Sequence, residues 1–187
     1  MSGVKVIGGI FGCFMAANAT LLLSAIPAVT GKGAPYMPTL RKSLNVMFKT
    51  ALPRVAPVSK TQRPLLVDLG SGDGRVVIEA ARHGYKAVGY EFNPMLVLVS
   101  RGWALFDRMR GNCIGSTAFH CRDLWTLDLS DADVIIVYGL SPIMDRLGAK
   151  LLLETKPNVV VISNVFELDD KWKSVFRGDE VYVYNRR

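Results

Sequence analysis

Residues 65–75 read LLVDLGSGDGR. A short apolar run meets Asp68, and glycines then alternate at Gly70, Gly72 and Gly74. The run predicts a buried strand over 65–69. The glycines predict a turn in which positive φ is free and a ligand can come close to the backbone.

Downstream, strand and helix patterns alternate. The sequence predicts a helix over 75–83 with Gly84 as its C-terminal cap, and a strand over 87–90 ending at Glu91. Asn93-Pro94 supplies an N-cap and a first-turn proline for a helix to about Met109. Further strands are expected at 118–121, 133–138 and 159–163, with a helix at 141–153. The segments 175–176 and 180–184 suit a closing hairpin. Short apolar strands alternating with helices indicate an α/β fold with a doubly wound, mostly parallel sheet.

In such sheets ligands bind beyond the carboxyl ends of the strands, beside the first strand. A dinucleotide loop has G-x-G-x-x-G spacing. Here the spacing is G-x-G-x-G, and Arg75 stands where the third dinucleotide glycine would allow close helix packing. Asp68 and Asp73 flank the loop and are poor neighbours for a pyrophosphate. They suit a cofactor with ammonium and sulfonium groups, which is S-adenosyl-L-methionine. Glu91, 17 residues past Gly74, can accept both ribose hydroxyls. Asp123 follows the third strand and can take the adenine amino group, with Leu124 and Trp125 near the ring. Each also has a plainer reading: Asp123 as a turn cap, Trp125 as a packing aromatic.

The chain has 187 residues and a net charge of +7. Residues 1–67 hold eight Lys/Arg and no acid, while residues 68–187 hold 15 basic residues and 16 acids. The excess charge is therefore expected on the N-terminal segment and not on the domain. That argues against a nucleic-acid substrate, whose enzymes carry their basic footprint on the working domain. Cys13, Cys113 and Cys121 have no disulfide or metal spacing and read as reduced thiols. No His/Cys cluster suggests a metal.

Val6 to Val29 is an uncharged run of 24 residues, about 36 Å as a helix and enough for a bilayer core. A secretory signal is the competing reading. The basic residues follow the run instead of preceding it, which favours an anchor whose C-terminal side stays in the cytoplasm or the mitochondrial matrix. Three parts result: an anchor or targeting segment at 1–30, a basic connector at 31–63, and a domain at 64–187. Within the connector, 39–51 predicts a short basic amphipathic helix. Leu40, Leu44, Met47 and Phe48 share its apolar face, to lie on a membrane or pack on the domain.

VDLGSGDGR, AVGYEFNP with Ser100-Arg101, and CRDLW together resemble the small family of mitochondrial membrane-anchored lysine methyltransferases. Its members act on the c-ring protein of ATP synthase and on the ADP/ATP translocase. The resemblance spans about residues 34–187 and includes APYMPTLRKSLNVMF at 34–48. It implies a class I seven-strand methyltransferase fold. Asp68, Gly70, Ser71, Gly72, Asp73 and Gly74 match the cofactor loop, Glu91 the ribose acid, and Asp123-Leu124-Trp125 the family's DLW. Phe92 and Met37 are apolar departures from the family's usual leucine and valine. The resemblance further implies a location at the mitochondrial inner membrane with the domain facing the matrix. The acceptor is then the ATP synthase c-ring protein, with the translocase as alternative.

Tyr138-Gly139-Leu140-Ser141-Pro142 follows the fourth strand, where methyltransferases line the acceptor channel. It is not the Asn/Asp-Pro-Pro-Tyr of nucleobase and glutamine methylases. Tyr138 either borders the reacting amine and methyl or packs on the adenine. Two other functions compete: methylation of a small lipophilic acceptor at the membrane, and a non-catalytic cofactor-binding scaffold.

Overall fold

The computed structural model describes residues 37–59, 61–139 and 141–186. The expected anchor at 6–29 lies outside them. Among the described residues, no helix is long and apolar enough to cross a membrane.

Seven strands form one sheet in the order β3-β2-β1-β4-β5-β7-β6. They are β1 (Leu65–Leu69), β2 (Lys86–Glu91), β3 (Ser116–Cys121), β4 (Val134–Val137), β5 (Val160–Asn164), β6 (Ser174–Gly178) and β7 (Val181–Asn185). The first five run parallel, and β7 pairs antiparallel with both β5 and β6. Asp179 and Glu180, both at positive φ, make the two-residue turn of the closing hairpin. That turn matches the right-handed twist of the flanking strands. All the strands and helices predicted from residue 65 onward are present, with ends shifted by one to three residues.

The sheet is covered on both faces. On one face, side chains such as Leu66, Ile136 and Ile162 pack under α3 (Arg75–Arg82) and α4 (Pro94–Met109). On the other, Val67, Ile135 and Val161 pack under α5 (Ser141–Glu154) and Trp172. β1, β4 and β5 are thus nearly continuous apolar runs, as strands buried on both faces require.

The segment read as a connector belongs to this core. α1 (Arg41–Asn45) continues through π-helical turns at Val46–Ala51 into α2 (Leu52–Val55). Pro53 donates no N–H, so the winding ahead of it loosens. Met47, Phe48, Ala51 and Leu52 are fully buried against the α3 face. The open choice between membrane surface and domain resolves to the domain. Each large apolar side chain buried there contributes about 1.5–3 kcal/mol, so together they rival a domain's net stability of about 5–15 kcal/mol.

The folded unit runs from Pro38 to Arg187. This corrects the charge expectation. Six of the eight N-terminal basic residues (Arg41, Lys42, Lys49, Arg54, Lys60 and Arg63) belong to that unit. With 21 basic residues and 16 acids, the unit carries +5, not a balance near zero. The cause is packing: apolar spacing at 44, 47, 48, 51 and 52 draws a basic segment onto the domain.

Candidate functional site

β1 ends in Asp68, which is 4% exposed. Gly70, Gly72 and Gly74 all have positive φ, between 53° and 81°. Turning the chain this sharply lets the Gly70 and Ser71 N–H groups donate to the Tyr90 carbonyl, at 2.9 and 3.0 Å. The loop is thereby pinned to β2. A side chain at Gly74 would strike Ser100 and Phe119 within 3 Å, so the third glycine lets α3 sit close to α4 and β3. At Gly70 nothing lies within 4 Å of where a Cβ would stand; that side of the loop is open.

Glu91 closes the loop from the neighbouring strand. Its Oε2 accepts from Gly72 N at 3.0 Å and its Oε1 from Asn93 N at 2.8 Å. Each oxygen keeps a further lone pair, the capacity a pair of hydroxyls needs. Asn93 Oδ1 caps α4 by accepting from Met95 N at 2.9 Å.

Three acids converge here. Burial, with Glu91 and Asp73 nearby, pushes Asp68 up to about 8. No ion pair reaches Asp68 or Glu91 among the described residues. Asp73 differs. Arg75 Nε and Nη2 hold both its oxygens at 2.7–3.1 Å, and Arg75 Nη1 donates to the Thr39 carbonyl at 3.0 Å. Arg75, read as a bar to dinucleotide packing, is thus the clamp on Asp73. Asp68 and Glu91 remain as the carboxylates available to a cation or a hydroxyl.

Asp123 caps a 3-10 turn at Leu124–Thr126 by accepting from Trp125 N at 3.0 Å through Oδ1. The turn-cap reading is realised, and Oδ2 is left for another donor. Trp125 carries the Arg146 guanidinium 3.9 Å from its ring centre. Trp125 and Leu124 both pack against the core of the α5 face. Tyr138 is half-buried just past β4, one residue beyond the Leu69–Val137 pair.

The structure adds residues that the sequence reading passed over. β4 pairs with β5 through Val137–Ser163, so Asn164 follows beside Tyr138. Asn164 is 2% exposed and its Oδ1 has no hydrogen-bond partner among the described residues. Val165, next to it, sits at φ 72°, a strained conformation for a β-branched residue. Nothing in the local string ISNVF marks either one; only the strand pairing brings them to the edge.

The residues present fit the expected cofactor. Ser71 Oγ is buried without a partner among the described residues, the loop is open at Gly70, and Asp68 is a buried carboxyl without a counter-cation there. A ligand bearing both a positive charge and hydroxyls would answer all three.

A seven-stranded sheet of order 3-2-1-4-5-7-6 with an acid-tipped glycine loop after its first strand is the class I methyltransferase fold. A family model described as the ANTKMT methyltransferase domain matches residues 68–175, over half of the chain, and the chain belongs to that family. It is 32% identical over 161 residues to the mouse lysine N-methyltransferase named for the ATP synthase c-ring protein, covering 86% of this chain and 60% of the relative. It is 38% identical over 125 residues to the mouse adenine nucleotide translocase lysine N-methyltransferase, covering 64% and 52%. A crystal structure of an RNA methyltransferase from Salinibacter ruber with S-adenosyl-L-homocysteine is 31% identical, with a TM-score of 0.65 over 80% of this chain and 92% of that one.

Proposed function

We propose that this chain is an S-adenosyl-L-methionine-dependent protein-lysine N-methyltransferase acting on the ATP synthase c-ring protein at the mitochondrial inner membrane. The observation that carries the cofactor is the buried Asp68 carboxyl, uncompensated by any cation among the described residues and open toward the glycine loop. The relatives named for lysine methylation carry the acceptor class.

When bound, S-adenosyl-L-methionine supplies an electrophilic methyl on a sulfonium. Asp68 would hold its cationic end, with Ser71 Oγ and the backbone of Gly70, Gly72 and Gly74 lining the approach. Glu91 would accept the ribose hydroxyls, and Asp123 Oδ2 the adenine amino group beside Leu124. Asp73 would contribute through the loop that Arg75 fixes. Tyr138 and Asn164 border the carboxyl edge where the acceptor amine must arrive. A free lysine is protonated at neutral pH, with a pKa of about 10.4; entry into this edge lowers it by desolvation. The proton then leaves through water, and no strong base is needed. Positioning and desolvation supply the acceleration.

The 24-residue uncharged run supports membrane attachment with the domain on the matrix side. Tethering would raise the local concentration of a membrane-bound acceptor. The unit's +5 charge suits anionic lipid as well as nucleic acid, but the residues after β4 lack the nucleobase-methylase pattern. We therefore favour a protein acceptor.

The test incubates the full chain, and its Asp68→Ala variant, with radiolabelled S-adenosyl-L-methionine and mitochondrial membranes from cells lacking the enzyme. A labelled band at the size of the c-ring protein, absent with the variant, is the expected result. A band at the translocase's size moves the acceptor and keeps the mechanism. Label only in extracted lipid or RNA overturns the protein-lysine reading.

A further inference from the structure

α4 is built inside out. Its buried face carries Leu96, Val97, Ser100, Ala104 and Asp107, mostly small or polar. Asp107 is neutralised there by Arg82. Its outer face carries larger apolar residues: Met95, Leu98, Trp103, Leu105, Phe106 and Met109, all between 40% and 78% exposed. Positions 95, 98, 102, 105 and 109 repeat at helical spacing, with Gly102 leaving the stripe flat. A helix apolar on both sides is normally enclosed, and a continuous exposed patch marks an interaction surface.

The chemistry around the stripe selects the partner. α4 has one acid, Asp107, and it is buried, so the outer face bears no negative charge. Arg108 and Arg110 stand exposed at its C-terminal end, with Arg110 over the Phe106 ring at 5.4 Å. A groove runs from this face to the N-terminal helix. It brings Arg41 and Lys49 together with Trp103, Phe106 and Arg110. None of these three cations forms an ion pair among the described residues. Bulky apolar side chains, an aromatic pair and flanking cations are the composition of a helix lying in the headgroup zone of an anionic bilayer. A second copy of the chain fits less well, because this face offers no acid to meet the other copy's arginines. The uncharged run at 6–29, of bilayer-crossing length, gives the chain a reason to be at such a surface.

We propose that the outer face of α4, with the basic groove beside it, docks flat on an anionic lipid bilayer. The inference does not depend on which molecule accepts the methyl. α4 starts three residues after Glu91, so docking brings the carboxyl edge of the sheet to headgroup depth.

The full chain is reconstituted into vesicles of phosphatidylcholine and phosphatidylserine with brominated acyl chains. The chain has three tryptophans, so comparing it with Trp103→Phe isolates the emission of Trp103. Bromine is expected to quench the wild type, and the quenchable share is expected to vanish in Trp103→Phe. Leu98→Glu with Leu105→Glu, and separately Arg108→Gln with Arg110→Gln, should at least halve that share. Replacing phosphatidylserine by phosphatidylcholine should do the same. Cofactor affinity, unchanged in every variant, shows that the fold and the glycine-loop site are intact. Equal quenching of wild type and Trp103→Phe overturns the proposal, as does iodide reaching Trp103 as readily on vesicles as in detergent. Trp103 shielded from both quenchers in a cross-linked dimer overturns it in favour of a second copy.

Discussion

The carboxyl edge of the sheet has two unlike halves. At β1 and β2, the polar groups are organised around charge: Asp68 lies buried with no cation beside it among the described residues, Glu91 braces the loop through two backbone N–H groups, and Arg75 clamps Asp73. At β4 and β5, that organisation is missing: Asn164 Oδ1 has no partner among the described residues and Val165 is strained. The first half is built for a ligand of fixed chemistry. The second is left to be completed by whatever brings the amine.

Asp68→Asn tests the contrast most severely. Losing a charged partner costs about 1.5–3 kcal/mol, or about 10–100-fold in S-adenosyl-L-methionine affinity, measurable by titration calorimetry. The same change should stabilise the ligand-free protein. In the unfolded chain Asp68 ionises above about pH 3.9, whereas in the fold it holds its proton up to about 8. Wild-type stability therefore falls as pH rises between those values. The Tm advantage of Asp68→Asn should grow as pH rises through this window and then level off above it. Cofactor binding to the wild type at neutral pH should release a proton, read from the buffer dependence of the binding enthalpy. A Tm difference independent of pH would remove Asp68 from the charged role.

Glu91→Gln comes next. One oxygen remains to accept, so either the Gly72 or the Asn93 N–H faces an amide NH2. The expected loss is about tenfold in cofactor affinity, from about 1–2 kcal/mol for one unmade hydrogen bond, with kcat at saturating cofactor little changed. A collapse of kcat at saturation would move Glu91 from cofactor holding to the reaction itself.

Tyr138→Phe and Asn164→Ala should give the smallest effect, and on the other substrate. Acceptor KM or kcat should change by less than about tenfold, the scale of one neutral hydrogen bond, while cofactor affinity stays put. Weakened cofactor binding in either variant would erase the division between the two halves.

The same division explains what the sequence made legible. The glycine loop, Glu91 and the Asn93 cap are local signals, because a turn, a strand end and an N-cap are each decided within a few residues. Asp68 was readable as a site acid, but its lack of a counter-cation was not, since that depends on every element around it. Asn164 and Val165 gain meaning only from the β4–β5 register. The helix at 41–55 was visible from its periodicity, yet a basic amphipathic face suits membrane and domain alike. Its assignment awaited the packing of Met47, Phe48 and Leu52.

Arg75 grips Asp73 with one edge of its guanidinium and the Thr39 carbonyl with another nitrogen. One rigid, planar group thus fastens the start of the folded unit to the loop that faces the cofactor. The joint works in both directions like a rivet: traction on the chain ahead of Thr39 is felt at the glycines, and stiffening of the glycines is felt at Thr39.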